Sequence, residues 1–144
     1  MTERRVLIAI AVFSLVGLAL ASYSFLHNQF LASGEFCTIN ATFNCDVVNR
    51  GPFAKVYGVP VAVIGVLGYL FLATASGYLI DHPHDRGMRF FLLLAALGGL
   101  TFSLYLSGIE ALVLKTWCVL CLTSQLIIIT VTALSAKICR RSVM

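Results

Sequence analysis

Four runs without Asp, Glu, Lys or Arg punctuate the chain, at residues 6–26, 56–80, 90–109 and 116–136. Each suffices for the ~20 residues a helix needs to cross about 30 Å of hydrocarbon. The alternating pattern of a transmembrane β-strand is absent from them, and a helix satisfies its own backbone polar groups inside lipid. The sequence therefore predicts an all-α membrane protein, a four-transmembrane-helix bundle. Composition agrees: 60% of residues are hydrophobic and 11% charged, with mean hydropathy +0.96, against about a quarter charged in a soluble domain. The longest polar stretch left over is the connection 27–55, which leaves no room for a separate soluble unit. Residues 1–144 read as a single membrane domain.

The net charge of +4 suggests nucleic acid only until its distribution is read. Arg4 and Arg5 precede the first span, Arg86 and Arg89 lie between the second and third, and Lys137, Arg140 and Arg141 follow the fourth. Arg50, Lys55 and Lys115 occupy the opposite side. Seven basic residues against three put both termini in the cytoplasm by the positive-inside rule and make 27–55 an external cap. The basic surplus is a topology signal and implies no nucleic acid. Arg4, Arg5 and the run ending at Ala19-Leu20-Ala21 also resemble a cleavable signal peptide. The apolar stretch continues to Leu26, beyond the usual signal core, and cleavage would leave the later segments facing the same way.

Within the cap, residues 45–57 mix Val47, Val48, Phe53 and Tyr57 with Asp46, Arg50 and Lys55, which suits a short interfacial segment across the top of the bundle. Gly58 and Pro60 mark the turn into the second helix, where proline costs no internal hydrogen bond. The connection Asp81-His82-Pro83-His84-Asp85 reads as a solvated hairpin and not a metal site. Ala95, Gly99, Ser103 and Ser107 fall at four-residue spacing. Such a stripe lets helix backbones approach closely in lipid, so it reads as packing and not as a cofactor box.

The five cysteines carry the functional information. Cys37 and Cys45 lie in the cap, and Cys118 and Cys121 at the outer end of the fourth span, so all four face a compartment where disulfides persist. Cys139, alone at the other end, reads as a small apolar filler. In Trp117-Cys118-Val119-Leu120-Cys121 two thiols share one side near a helix N-terminus, where unpaired N–H groups and the dipole favour a thiolate. Lys115 adds a positive charge just before them. Taken alone, the pair leaves redox exchange, metal binding and a structural disulfide open. Cys37 and Cys45 are eight residues apart, wider than the usual arm of a structural zinc site. A loop dithiol beside a membrane dithiol permits a relay through mixed disulfides. Two pairs imply two partners, one aqueous and one lipid-soluble.

The motifs Asn44-Cys45-Asp46-Val47-Val48, Tyr57-Gly58-Val59-Pro60, Gly65-Val66-Leu67-Gly68-Tyr69, Ile109-Glu110 and Trp117-Cys118-Val119-Leu120-Cys121 together resemble the vitamin K epoxide reductase family in its bacterial or archaeal form. The resemblance runs through nearly the whole chain. It implies a four-helix bundle around a quinone (of ubiquinone, menaquinone or vitamin K type), capped by the external loop. It further implies that Cys121 is the sulfur nearest the quinone, that Cys118 exchanges with Cys45, and that Cys37 meets a separate thioredoxin-like or DsbA-like protein. Animal members carry a tyrosine where this chain has Gln125, which makes Gln125 the candidate quinone-binding polar group and disfavours the epoxide as substrate. They also carry an asparagine at the position of Ala54.

The leading expectation is a quinone-linked thiol–disulfide oxidoreductase supporting disulfide formation, embedded in a prokaryotic cytoplasmic membrane with its cysteines on the periplasmic or extracellular side, or in the endoplasmic reticulum if eukaryotic. Three alternatives stand beside it: reduction of vitamin K epoxide or quinone by partner thiols, metal binding through the same cysteines, and a purely structural bundle.

Overall fold

The computed structural model describes residues 2–29, 44 and 55–143. Among these, four helices are long and apolar enough to span a membrane. Helix α1 covers Glu3–Asn28, α2 Val61–Asp81, α3 Arg86–Ile109 and α4 Val119–Val143. Cys37, Cys45, Ala54, Gln29's successors up to residue 43 and the expected interfacial stretch 45–54 lie outside the described residues.

The helices differ from the expected spans at their ends, and local chemistry accounts for each difference. Thr2 caps α1 by accepting the Arg5 N–H at 3.4 Å, so the helix starts at Glu3, ahead of the apolar run. It also runs through His27 and Asn28, which were expected in the cap. The second span was expected from 56, but Lys55–Val56 (β1) and Val59–Pro60 (β2) form an antiparallel hairpin and α2 begins only at Val61. Tyr57 and Gly58 have φ of 51° and 81°, the positive values that a two-residue type I′ turn requires at both central positions. Asp85 caps α3 through Met88 N–H at 3.0 Å, which draws Arg86 and Arg89 into the helix. α4 starts at Val119 and not 116, and continues through Arg140 and Arg141, whose charges suit a helix C-terminus.

The outward faces carry Leu15, Val16, Leu67, Phe91, Leu104 and Leu126, all exposed. An apolar surface of this extent matches lipid. Threonine hydroxyls in the spans turn back on their own helices: Thr74, Thr101, Thr123 and Thr130 donate to carbonyls one turn back at 2.8–3.0 Å. Thr132 of α4 also reaches Ala96 O of α3 at 3.2 Å. The core between the helices is built from Val6, Leu7 and Ile10 of α1, Leu79 of α2, Leu92 of α3 and Val131 of α4.

One end of the bundle is fastened by Arg89. The sequence presents it as a topology charge, yet it is only 4% exposed. Its guanidinium donates to Glu3 Oε2 of α1 at 2.8 Å, to Ile138 O of α4 at 3.4 Å and to Pro83 O in the α2–α3 turn. Arginine suits this because its fork offers several fixed donors at once. Replacing it removes the bonds that join these three segments. Arg89→Met is expected to cost about 1–3 kcal/mol, read as a lower unfolding midpoint in detergent, whereas Arg86→Met, at an exposed position, should leave the midpoint unchanged.

Candidate functional site

At the end of the bundle opposite Arg89, the chain leaves α3 through a π-helical turn, Glu110–Leu114. Lys115 closes it in the left-handed region (φ 53°, ψ 30°), and Glu110 O accepts the N–H groups of Lys115 and of Thr116, the latter at 3.2 Å. Such turns recur at functional sites because they re-aim side chains that a regular helix would point elsewhere. Here the turn aims the Glu110 carboxyl inward, where it is 2% exposed and accepts the Cys118 backbone N–H at 3.2 Å.

Cys118 sits at the N-cap of α4. Its carbonyl accepts the Leu122 N–H at 2.9 Å, and its Sγ accepts the Cys121 N–H at 3.4 Å. A helix N-terminus thus presents an N–H to sulfur, as the sequence led us to expect. Cys118 is fully buried beneath Leu20 and Tyr23 of α1, and Cys121 is half-buried. Glu110 and Cys121 thus meet around Cys118, the first through its carboxyl on the Cys118 N–H and the second through its own N–H on the Cys118 Sγ. Lys115, expected to supply charge beside the thiols, is exposed, and the ionisable group that touches the pair is an acid instead.

Cys121 and Glu110 form part of the wall of a cavity of about 320 Å³ lined by all four helices. Its remaining wall is mainly apolar, with Gly65 and Gly68 from α2 and Gly98 and Phe102 from α3. That volume and character fall within the ordinary range for sites taking a small apolar ligand with a few polar groups, and a quinone ring fits the description. A Cβ at Gly68 or Gly98 would meet nothing within 4 Å.

The stripe Ala95, Gly99, Ser103 and Ser107, read from sequence as packing alone, lines this cavity. It packs as well: a Cβ on Gly99 would come within 3.3 Å of Ile128. Four-residue spacing cannot distinguish a face that touches a neighbour from one that borders a void. Gln125 is not part of the wall. Its side-chain oxygen accepts a hydrogen bond from the Ser107 hydroxyl, and it is Ser107 that faces the cavity.

Two further wall residues had no functional signal of their own in the sequence beyond their place in the motifs. Tyr69 reaches from α2 to α4, donating to Ser124 O at 2.9 Å and sharing a 2.8 Å hydrogen bond with Ser124 Oγ, one turn beyond Cys121. Its ring rests in the gap left by Gly17, where a Cβ would lie 2.3 Å from the ring. Glu110 is the other. The loop approaches the site at Asn44, whose backbone N–H donates to Trp117 O at 3.1 Å. Asn44 immediately precedes Cys45 in sequence and Trp117 immediately precedes Cys118.

A bundle with this cavity and this thiol pair has the build of an integral membrane oxidoreductase. The profile of the Vitamin K epoxide reductase family matches residues 8–136. The chain belongs to that family, whose members join thiol redox chemistry to quinones in membranes. Comparison with curated proteins gives no match.

The seat of Tyr69 yields a stability test. Gly17→Ala should push the ring off Ser124 and cost about 1–3 kcal/mol, the usual penalty for overpacking. Gly77→Ala, where a Cβ meets open space, should be neutral or slightly stabilising. Thermal unfolding of the two variants separates these outcomes.

Proposed function

We propose that this protein passes electrons from an extracytoplasmic thioredoxin-like partner, through Cys37/Cys45 and then Cys118/Cys121, to a membrane quinone, and so supports disulfide formation. The observation that carries this reading is the position of the helix pair: Cys121 borders the apolar cavity, while Cys118 lies beside the Trp117 carbonyl that holds Asn44. One thiol is thus adjacent to a lipid-soluble substrate and the other to the segment bearing Cys45. The sidedness rests on the basic residues. Arg4, Arg5, Arg86, Lys137, Arg140 and Arg141 share the Arg89 end, which supports a cytoplasmic position for that end and an outer one for the thiols.

Each exchange conserves atoms and electrons. A partner thiolate attacks Cys37 of a Cys37–Cys45 disulfide and displaces Cys45, and the partner's second thiol then attacks the partner sulfur of the mixed disulfide, closing the partner's own disulfide and freeing Cys37. The freed Cys45 thiolate attacks Cys118 of a Cys118–Cys121 disulfide, and Cys37 resolves that mixed disulfide. The N–H on Cys118 Sγ stabilises negative charge on this sulfur during the exchange. The helix dithiol finally yields two electrons and two protons to the quinone as its S–S bond re-forms, and quinol leaves. Ser107 supplies a hydroxyl at the cavity wall, with Gln125 orienting it.

Purified protein supplied with dithiothreitol and a short-chain ubiquinone should reduce the quinone. Cys118→Ala and Cys121→Ala should each fall to the rate of the reagents alone, and wild-type turnover by either variant would refute the assignment. Gly98→Leu should lose quinone reduction by filling the cavity while both thiols still react with an alkylating reagent. Cys37→Ala should stop turnover driven by a thioredoxin-like protein but still accept dithiothreitol. Equal loss with both reductants would argue against a loop shuttle.

A further inference from the structure

We propose that Glu110 is the proton carrier of the quinone step, taking the proton of the Cys121 thiol and delivering it to a quinone oxygen. This inference rests on the quinone-linked reading above and adds a residue to it.

Three observations converge on the carboxyl. It is 2% exposed, although burying a carboxylate without a partner cation costs several kcal/mol. Among the described residues no Lys or Arg pairs with it; the ion pair of Arg89 and Glu3 lies at the other end of the bundle. Its hydrogen bond to the Cys118 N–H does not account for that cost, because a neutral glutamine oxygen would accept the same N–H without a buried charge. The π-turn nonetheless aims Glu110 at the start of α4, where it bonds the Cys118 N–H and shares the cavity wall with Cys121. Among the described residues, the other ionisable groups of the cavity wall are Tyr69 and Cys121 itself, and Tyr69 is engaged with Ser124.

The reaction requires such a group. Forming the Cys118–Cys121 bond releases two protons, and a quinone must gain two protons with its two electrons. In an apolar wall the proton of Cys121 needs an acceptor in contact with it. The Cys121 S–H bond breaks as its proton moves to Glu110, and the electron pair left on sulfur is the one that reduces the quinone. Glu110 then gives the proton to a quinone oxygen and returns to carboxylate. The proton from Cys118 accounts for the second oxygen as that sulfur closes the disulfide. Dithiol and quinone become disulfide and quinol with nothing left over.

The decisive substitution is E110Q, which keeps an oxygen to accept the Cys118 N–H but cannot take up a proton. With full-length protein in detergent, dithiothreitol and decylubiquinone, E110Q should lower kcat by about 10²-fold with little change in KM, and with an unfolding midpoint like that of wild type. E110D retains the base on a shorter arm and provides a second reading should E110Q fold poorly; it should turn over faster than E110A. Wild-type kcat in E110Q, or E110D no faster than E110A, would reduce Glu110 to a helix cap and overturn the proposal. A wild-type protein that passes no electrons to the quinone would overturn the underlying reading together with it. Activity that depends on Cys121 but not on Glu110 would overturn the carrier alone.

Discussion

Hydrocarbon offers no hydrogen bonds, and most of this structure follows from that one fact. Helices close their backbone groups internally, and the threonines along them return their hydroxyls to carbonyls one turn back. Two clusters of charged and polar groups stand at the ends of the bundle. At one end Arg89 spends its donors on Glu3 and on two carbonyls. At the other, Glu110 and the N-terminus of α4 meet around two thiols. A polar group held in such surroundings has few alternative partners, so its geometry is well defined, and thiol exchange needs that definition because sulfurs must meet along a line.

The cavity beside the thiols exists because glycines withhold side chains from it. Gly68 and Gly98 leave open space, while Gly17 does the reverse, giving up its own volume so that the Tyr69 ring can lie against α1 and tie α2 to α4. Similar residues on neighbouring helices thus do opposite things, one set leaving room for a ligand and the other admitting a strut that keeps the helices from collapsing into that room.

Much of this was legible in the sequence. Four charge-free runs gave four helices, since length and hydropathy are decided locally, and the family resemblance was correct. The positions of Cys118 and Cys121 at the start of the last helix were readable from where the fourth charge-free run begins. Other features depend on contacts that the sequence does not encode at any fixed offset. The π-turn that directs Glu110 inward is one, since an extra residue in a helix leaves no compositional mark. Arg89 is another: a basic residue beside a turn reads as solvated until three chain segments converge on it. Helix starts moved for the same reason, because Thr2, Asp85 and the Tyr57-Gly58 turn set them by hydrogen bonding and backbone geometry and not by hydropathy.

Arg89 gathers the start of α1, the start of α3 and the end of α4 at a single knot, and any tilt about that knot is magnified along each helix. Helix α3 has 24 residues, roughly 36 Å at 1.5 Å per residue, so each degree of tilt about the pivot carries its far tip about 0.6 Å. The sulfurs lie near that tip, where Tyr69 ties α2 to Ser124 of α4, so knot and strut together brace both extremities of the pocket and leave little leverage for the gap to widen.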